Sequence, residues 1–164
     1  MAGTSTGCED RLRLVSFKTV NARGERFLNE STSYHLFGLA MQEAHKTQPS
    51  IPAYLVCDAE ALRKYGMGMV RPGGKGLAPF LADAYLTEGA TLAELASKLG
   101  MDAQALQESV AQNNRNAETG VDADFHRGET AYQQNLGDPN WTGKNPNIGP
   151  LQQGPFYAVR LYPG

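Results

Sequence analysis

The chain has 164 residues, enough for one domain with a sizeable core, and carries a formal net charge of −2. That balance gives no electrostatic basis for binding nucleic acid or an anionic membrane. No apolar run approaches the roughly 20 residues of a membrane helix, and the N-terminus lacks the basic-then-apolar order of a signal peptide.

Residues 1–10 are small and polar at the outset and read as a disordered or appended end, leaving 11–164 as the domain. Leu12, Leu14 and Ser16 alternate with Arg13, Val15 and Phe17, which predicts a strand over 11–20. Asn21-Ala22-Arg23-Gly24 supplies turn chemistry, and 25–28 is expected to return as the second strand of a hairpin. Ser31, Thr32 and Ser33 are three candidate N-caps for a helix whose stripe is Tyr34, Phe37, Met41 and Ala44, ending before Pro49.

Residues 53–57 form a short apolar run typical of a buried strand, with a weak helical turn after Asp58. Thr91 and Glu94 have capping-box spacing, and Leu92, Leu95, Ala96 and Leu99 follow at helical intervals up to Gly100. Asp102 caps a second helix with the stripe Ala103, Leu106, Val110 and Ala117, closed by Gly120. Residues 156–162 alternate as a closing strand. Strands at both ends with helices between them, and no βαβ alternation, predict an α+β fold: a small sheet with helices and no Rossmann unit. Glycine and proline concentrate in two long loops, 66–79 and 137–155.

Several chemistries fail on spacing. Gly68 and Gly73 are five apart, but Gly74 stands where a phosphate loop needs lysine. The dinucleotide fingerprint needs a strand before its glycines and a helix after them, and 71–76 has neither. His35, His45 and His126 are scattered without metal-ligand spacing, and no serine sits in a nucleophile elbow. Cys8 and Cys57 stand alone; Cys57, inside an apolar run, reads as a small core residue, which fits a reducing, cytoplasmic setting.

Three segments carry a family resemblance. The first is 20–30, with Arg23-Gly24-Glu25-Arg26-Phe27 ahead of Asn29-Glu30. The second is Thr91-Leu92-Ala93-Glu94-Leu95-Ala96 with Leu106, Val110 and Asn114. The third is Gly120-Val121-Asp122-Ala123-Asp124-Phe125-His126-Arg127-Gly128, leading to Pro155-Phe156-Tyr157-Ala158-Val159. Together they resemble the substrate-side, or cap, domain of the fumarate reductase and succinate dehydrogenase flavoprotein superfamily. Tyr132, Gly137-Asp138-Pro139, residues 145–150 and the ending Arg160-Leu161-Tyr162-Pro163-Gly164 bring it closest to 3-ketosteroid Δ1-dehydrogenases.

The resemblance implies FAD as cofactor and the FAD-binding domain of the same polypeptide as partner. It also implies a small apolar ketone, such as a steroid, as substrate. Fumarate reductases carry an arginine proton donor shortly after the Asn-Glu pair; here Tyr34 holds the aligned position. In ketosteroid dehydrogenases a tyrosine in this context is the catalytic base, so the resemblance nominates Tyr34. A phenol with a pKa of about 10 is a poor base at neutral pH unless its anion is stabilised. The first turn of a helix favours that anion, by ~0.3 to 1 kcal/mol where exposed. The alternative is that Tyr34 opens the apolar stripe it shares with Phe37 and Met41.

Arg26, Asn29 and Glu30 read as a buried ion pair or a turn-stapling network. Arg127 either neutralises an acidic neighbour or faces the cofactor domain, and Asn113 fits an inward hydrogen bond. Trp141 either lines an apolar pocket at a domain junction or packs on the partner. The family's glycine-rich FAD-binding βαβ unit has no counterpart in the chain, so the expectation is an internal cap fragment, inactive in isolation and weak in binding flavin. A fumarate reductase-like enoate reductase domain and a non-catalytic α+β binding module are the alternatives.

Overall fold

Residues 53–57 and 156–159 are apolar on both sides of the pleat because both sides are covered. In the computed structural model, which describes residues 15–164, one antiparallel sheet is built from β1 (Phe17–Val20), β2 (Ala53–Asp58), β3 (Leu86–Gly89) and β4 (Phe156–Leu161). Their order is β1-β2-β4-β3. Thr19 lies opposite Leu55, Leu55 opposite Val159, and Val159 opposite Leu86. The helices are α1 (Tyr34–His45), α2 (Ala59–Tyr65), α3 (Ala78–Ala82), α4 (Leu92–Leu99), α5 (Ala103–Thr119) and α6 (Ala131–Asn135).

Successive strand side chains point to opposite faces. Tyr54, Val56, Phe156 and Ala158 therefore meet Leu95 and Ala96 of α4 and Leu106 and Val110 of α5. On the other face Leu55, Cys57, Tyr157 and Val159 meet Ala61 and Leu62 of α2, with Met67 and Val70 of the following loop. Each fully buried leucine contributes about 1.5–3 kcal/mol. Cys57 is buried, and burial pushes its thiol well above the ordinary range, as suits a core residue.

The caps of α4 and α5 follow the sequence. Thr91 Oγ1 accepts from the Glu94 amide at 3.1 Å, and Glu94 Oε2 accepts from the Ala90 amide at 3.2 Å. Asp102 Oδ1 accepts from the Ala105 amide at 3.0 Å. Gly100 and Gly120 close the two helices in the left-handed conformation. The turn at 21–24 also forms: Asn21 Oδ1 accepts from the amides of Arg23 (2.9 Å) and Glu25 (3.0 Å). Gly24 is required there twice over. Its φ is +87°, and an added Cβ would come within 2.9 Å of the Leu106 amide nitrogen at the start of α5.

Residues 25–28 do not return as a strand; pairing is limited to one bridge between Val20 and Arg26. Beyond that bridge the side chain of Arg26 is engaged by Glu30 and Asp122, and Leu28 joins Met41 and Ala53 in a third small cluster. The chain is thereby pulled out of the sheet. Of the expected strand at 11–20, the described part is β1; Leu12, Arg13, Leu14, Cys8 and the whole of 1–10 lie outside the described residues.

The weak turn after Asp58 is a full helix, α2. Asp58 Oδ1 caps it at the Ala61 amide (2.9 Å), while Oδ2 accepts from the Gln152 amide (3.0 Å) and ties the 137–155 loop to the strand end. β3, α3 and α6 carry too short a pattern to be read from sequence. Leu86-Thr87-Glu88-Gly89 has one apolar residue and becomes a strand only because β4 offers an edge. Among the described residues no helix is long and apolar enough to cross a membrane.

Candidate active site

The segment that leads into α1 is folded by its own side chains. Asn29 Oδ1 accepts from the Ser31 amide at 2.9 Å, and Thr32 Oγ1 donates to the Asn29 carbonyl at 3.2 Å. Of the three candidate caps only Ser33 serves: its backbone is extended and its Oγ accepts from the Leu36 amide at 3.3 Å. Ser31 points inward instead. Tyr34 is the first residue of the helix, as the spacing predicts.

Behind this segment lies a buried charge network. The Glu30 carboxylate is shielded from solvent and receives Arg26 Nη2 at 2.7 Å, Arg26 Nε at 3.2 Å, Arg127 Nη1 at 3.4 Å and the Thr19 amide at 3.1 Å. Lys18 Nζ stands 3.9 Å away. Burial pushes Glu30 up, but Lys18, Arg26 and Arg127 outweigh it and hold the carboxyl down at about 2. The effect on Lys18 is lopsided: burial lowers it to about 8 against the pull of Glu30, because the carboxylate is shared among three cations.

Arg26 also reaches Asp122, and burial works against that carboxyl while Arg26 keeps it below the usual range. Arg127 is almost wholly buried; besides Glu30 it donates to Ser31 Oγ (3.0 Å) and the Phe17 carbonyl (3.1 Å). Arg26 and Glu30 thus form the expected buried ion pair. Asn29 belongs to the same stapling system, through the Phe125 carbonyl (2.9 Å). Arg127 neutralises an acidic neighbour, but that neighbour is Glu30 and not the adjacent Asp124.

In front of the segment is an open groove of about 1040 Å³. Its apolar wall includes Phe37, Met41, Leu136, Leu161 and Tyr162, and its polar rim includes Ser33 and Thr32. Tyr34 lines it and is 77% exposed. The apolar stripe of α1 therefore starts at Phe37; Tyr34 belongs to none of the described core clusters. Tyr132, from α6, lines the same groove.

Trp141 is not at this groove. It lies under Lys64, whose Nζ is 5.4 Å from the ring centroid, and Lys64 is itself paired with Asp138 at 2.9 Å. Burial opposes the ionised form of Asp138, yet Tyr65 and Lys64 hold it at about 2. This second knot fastens α2 to the 137–155 loop. Asn113 makes its inward bond, Nδ2 to the Gly149 carbonyl at 2.9 Å, while its Oδ1 has no partner among the described residues. His35, His45 and His126 are exposed, and among the described residues no three metal-binding side chains come together.

Sequence reasoning missed Lys18, Asp122 and Asn147 as members of the network. Lys18 sits in a strand where a surface position is expected, and Asp122 and Asn147 lie in loops whose partners are about a hundred residues away. The one local signal was the concentration of Asn, Asp and Gly in those loops.

Residues 2–164 match the model of a family described as FAD binding domain. The chain belongs to that family. FAD is the family's cofactor. The chain is 42% identical over 148 residues to a 4-oxocyclohexanecarboxylate 2-dehydrogenase of Sinomonas cyclohexanicum, covering 88% of this chain and 25% of that protein. It is 34% identical to the 3-ketosteroid delta1-dehydrogenase of Sterolibacterium denitrificans, solved with 1,4-androstadiene-3,17-dione, with a TM-score of 0.87 over 95% of this chain and 28% of that one. A flavocytochrome c3 fumarate reductase in its open conformation shares the fold alone, at TM-score 0.67 and 23% identity, over 94% of this chain and 22% of that one. The chain thus spans about a quarter of the length of these proteins.

The described residues do not themselves suit the dinucleotide half of FAD. Their sheet is wholly antiparallel, and the glycine-rich loop 66–76 joins two helices rather than a strand to a helix. What they offer is one groove with a helix N-terminus and a phenol at its edge.

Proposed function

We propose that this chain is the substrate-facing cap of an FAD-dependent dehydrogenase that introduces a C=C bond α,β to the carbonyl of a cyclic ketone. Tyr34 is the residue that accepts the proton. The observation that carries this reading is the placement of Tyr34: it is exposed, it opens α1, and it lines a groove with an apolar wall. Removal of a proton from the carbon next to a carbonyl needs a base within reach of that carbon. Tyr34 is held at the first position of α1, with its side chain at the groove. FAD, when bound by the rest of the protein, supplies the oxidising power.

The substrate class follows from the groove and the relatives together. Phe37, Met41, Leu161 and Tyr162 offer an apolar face for a ring system. The Sinomonas relative is named for an oxocyclohexane acid and the Sterolibacterium structure holds a steroid dienone. A ring ketone is common to both, and it is the class assigned here.

The test uses the full-length, flavin-loaded protein, with 4-oxocyclohexanecarboxylate and a 3-ketosteroid as substrates. Tyr34→Phe is expected to abolish dehydrogenation of whichever ketone the wild type oxidises while flavin content stays at the wild-type level. Turnover retained in the variant would end the assignment of Tyr34.

A further inference from the structure

The hydroxyl of Ser31 lies three residues ahead of Tyr34 and is used to its full capacity as an acceptor. A serine oxygen has two lone pairs. Arg127 Nε donates to one at 3.0 Å and Asn147 Nδ2 to the other at 3.0 Å. Each donor is anchored elsewhere. Arg127 also holds the Phe17 carbonyl in β1 (3.1 Å), and Asn147 Nδ2 also holds the Gln133 carbonyl in α6 (2.6 Å). On the chain side, Ser31 is fixed through its amide by Asn29 Oδ1 at 2.9 Å. Two residues later Ser33 starts the helix and Tyr34 enters the groove.

One small buried side chain therefore joins the sheet, the 120–128 loop, α6 and the lead-in to α1. α1 needs such a brace. It buries only Met41 completely, and its first turn is largely exposed, so core packing does little to fix the orientation of its N-terminus. We infer that Ser31 is a positioning residue: clamped by Arg127 and Asn147, it sets the direction in which Tyr34 is presented to the groove. The inference rests on the reading of Tyr34 as proton acceptor. It concerns rate more than folding, because Arg127 keeps Phe17 and Glu30 when the serine oxygen is removed.

Ser31→Ala in the full-length, flavin-loaded protein tests it. Misplacement of a reacting group by about 1 Å costs on the order of 100-fold. The expectation is a fall in kcat of about 10- to 100-fold with KM within about twofold of wild type. Ser31→Thr, which keeps the hydroxyl, recovers most of the rate. An unchanged kcat, or a fall in flavin content that accounts for the rate, would overturn the inference. If Ser31→Ala does not fold, Ser31→Cys, a weaker acceptor of similar size, takes its place in each comparison. Amide exchange gives a readout independent of turnover: protection of Leu36 and Phe37, whose amides bond to Ser33, falls selectively in Ser31→Ala while that of α5 is retained. Exchange unchanged at Leu36 and Phe37 sinks the brace even if Tyr34 is catalytic. Loosened exchange with full turnover in Tyr34→Phe sinks the catalytic reading and leaves the brace.

Discussion

Arg26 and Asp122 stand 96 positions apart and meet as a forked ion pair, Nη1 to Oδ1 at 2.8 Å and Nη2 to Oδ2 at 2.7 Å, with both side chains almost removed from water. The pair locks the turn before α1 to the loop after α5. Two parallel charge-assisted bonds also fix its angle, which a single contact would not do.

Removing Asp122 strips one arm of the Arg26 fork and leaves Glu30 to hold the guanidinium. Asp122→Ala is expected to destabilise the fold by about 1.5–3 kcal/mol, as for lost hydrogen bonds to a charged group, read from the denaturant midpoint at unchanged slope. The joint replacement Arg26→Met with Asp122→Leu should cost much less than the sum of the single changes. A single change costing under about 1 kcal/mol would show that the pair is solvated.

Glu30 sets an acid limit. Its folded value of about 2 lies below its ordinary 4.5, so the unfolded chain binds more protons between those values. The stability it contributes is complete above pH about 4.5 and is lost as pH falls through about 2. Asp138 adds a loss of the same sign as pH falls from about 3.8 to about 2. Glu30→Gln should therefore be less stable at neutral pH and should lose about one proton's worth of slope between pH 4.5 and 2. Urea midpoints across that range measure it; an unchanged slope would remove Glu30 from the acid transition.

Tyr34 is exposed, and its hydroxyl makes no hydrogen bond within the described residues. Tyr34→Phe should leave stability within about 0.5 kcal/mol of wild type. A larger loss in thermal unfolding would return the residue to a packing role.

The 164-residue chain on its own should bind FAD weakly or not at all, because the antiparallel sheet of its described residues offers no pyrophosphate cradle. Titration followed by flavin fluorescence should show no saturation at micromolar protein. A yellow preparation with one FAD per chain would contradict the cap reading.

Elements whose signal is local were legible along the chain. The capping box at Thr91 and Glu94, the Asp102 cap, the Gly100 and Gly120 stops and the 3.6-residue stripes gave α4 and α5. The apolar run at 53–57 and the alternation over 156–162 gave the two central strands. The resemblance indicated the superfamily and nominated Tyr34.

Which charges lie inside, and that Tyr34 lies outside, follows from packing between segments far apart in the chain. Lys18, Arg26, Glu30, Asp122 and Arg127 come from β1, the α1 lead-in and a loop some hundred residues later, and burial of each is tolerable only because the others arrive. No period along the chain encodes that meeting. Tyr34 shares a helical stripe with Phe37 and Met41, yet the core stops before it reaches the first turn of α1, so the same spacing yields a buried Met41 and an exposed Tyr34. Periodicity reports which side of a helix a residue is on; how far the core extends along that side depends on the elements packed against it.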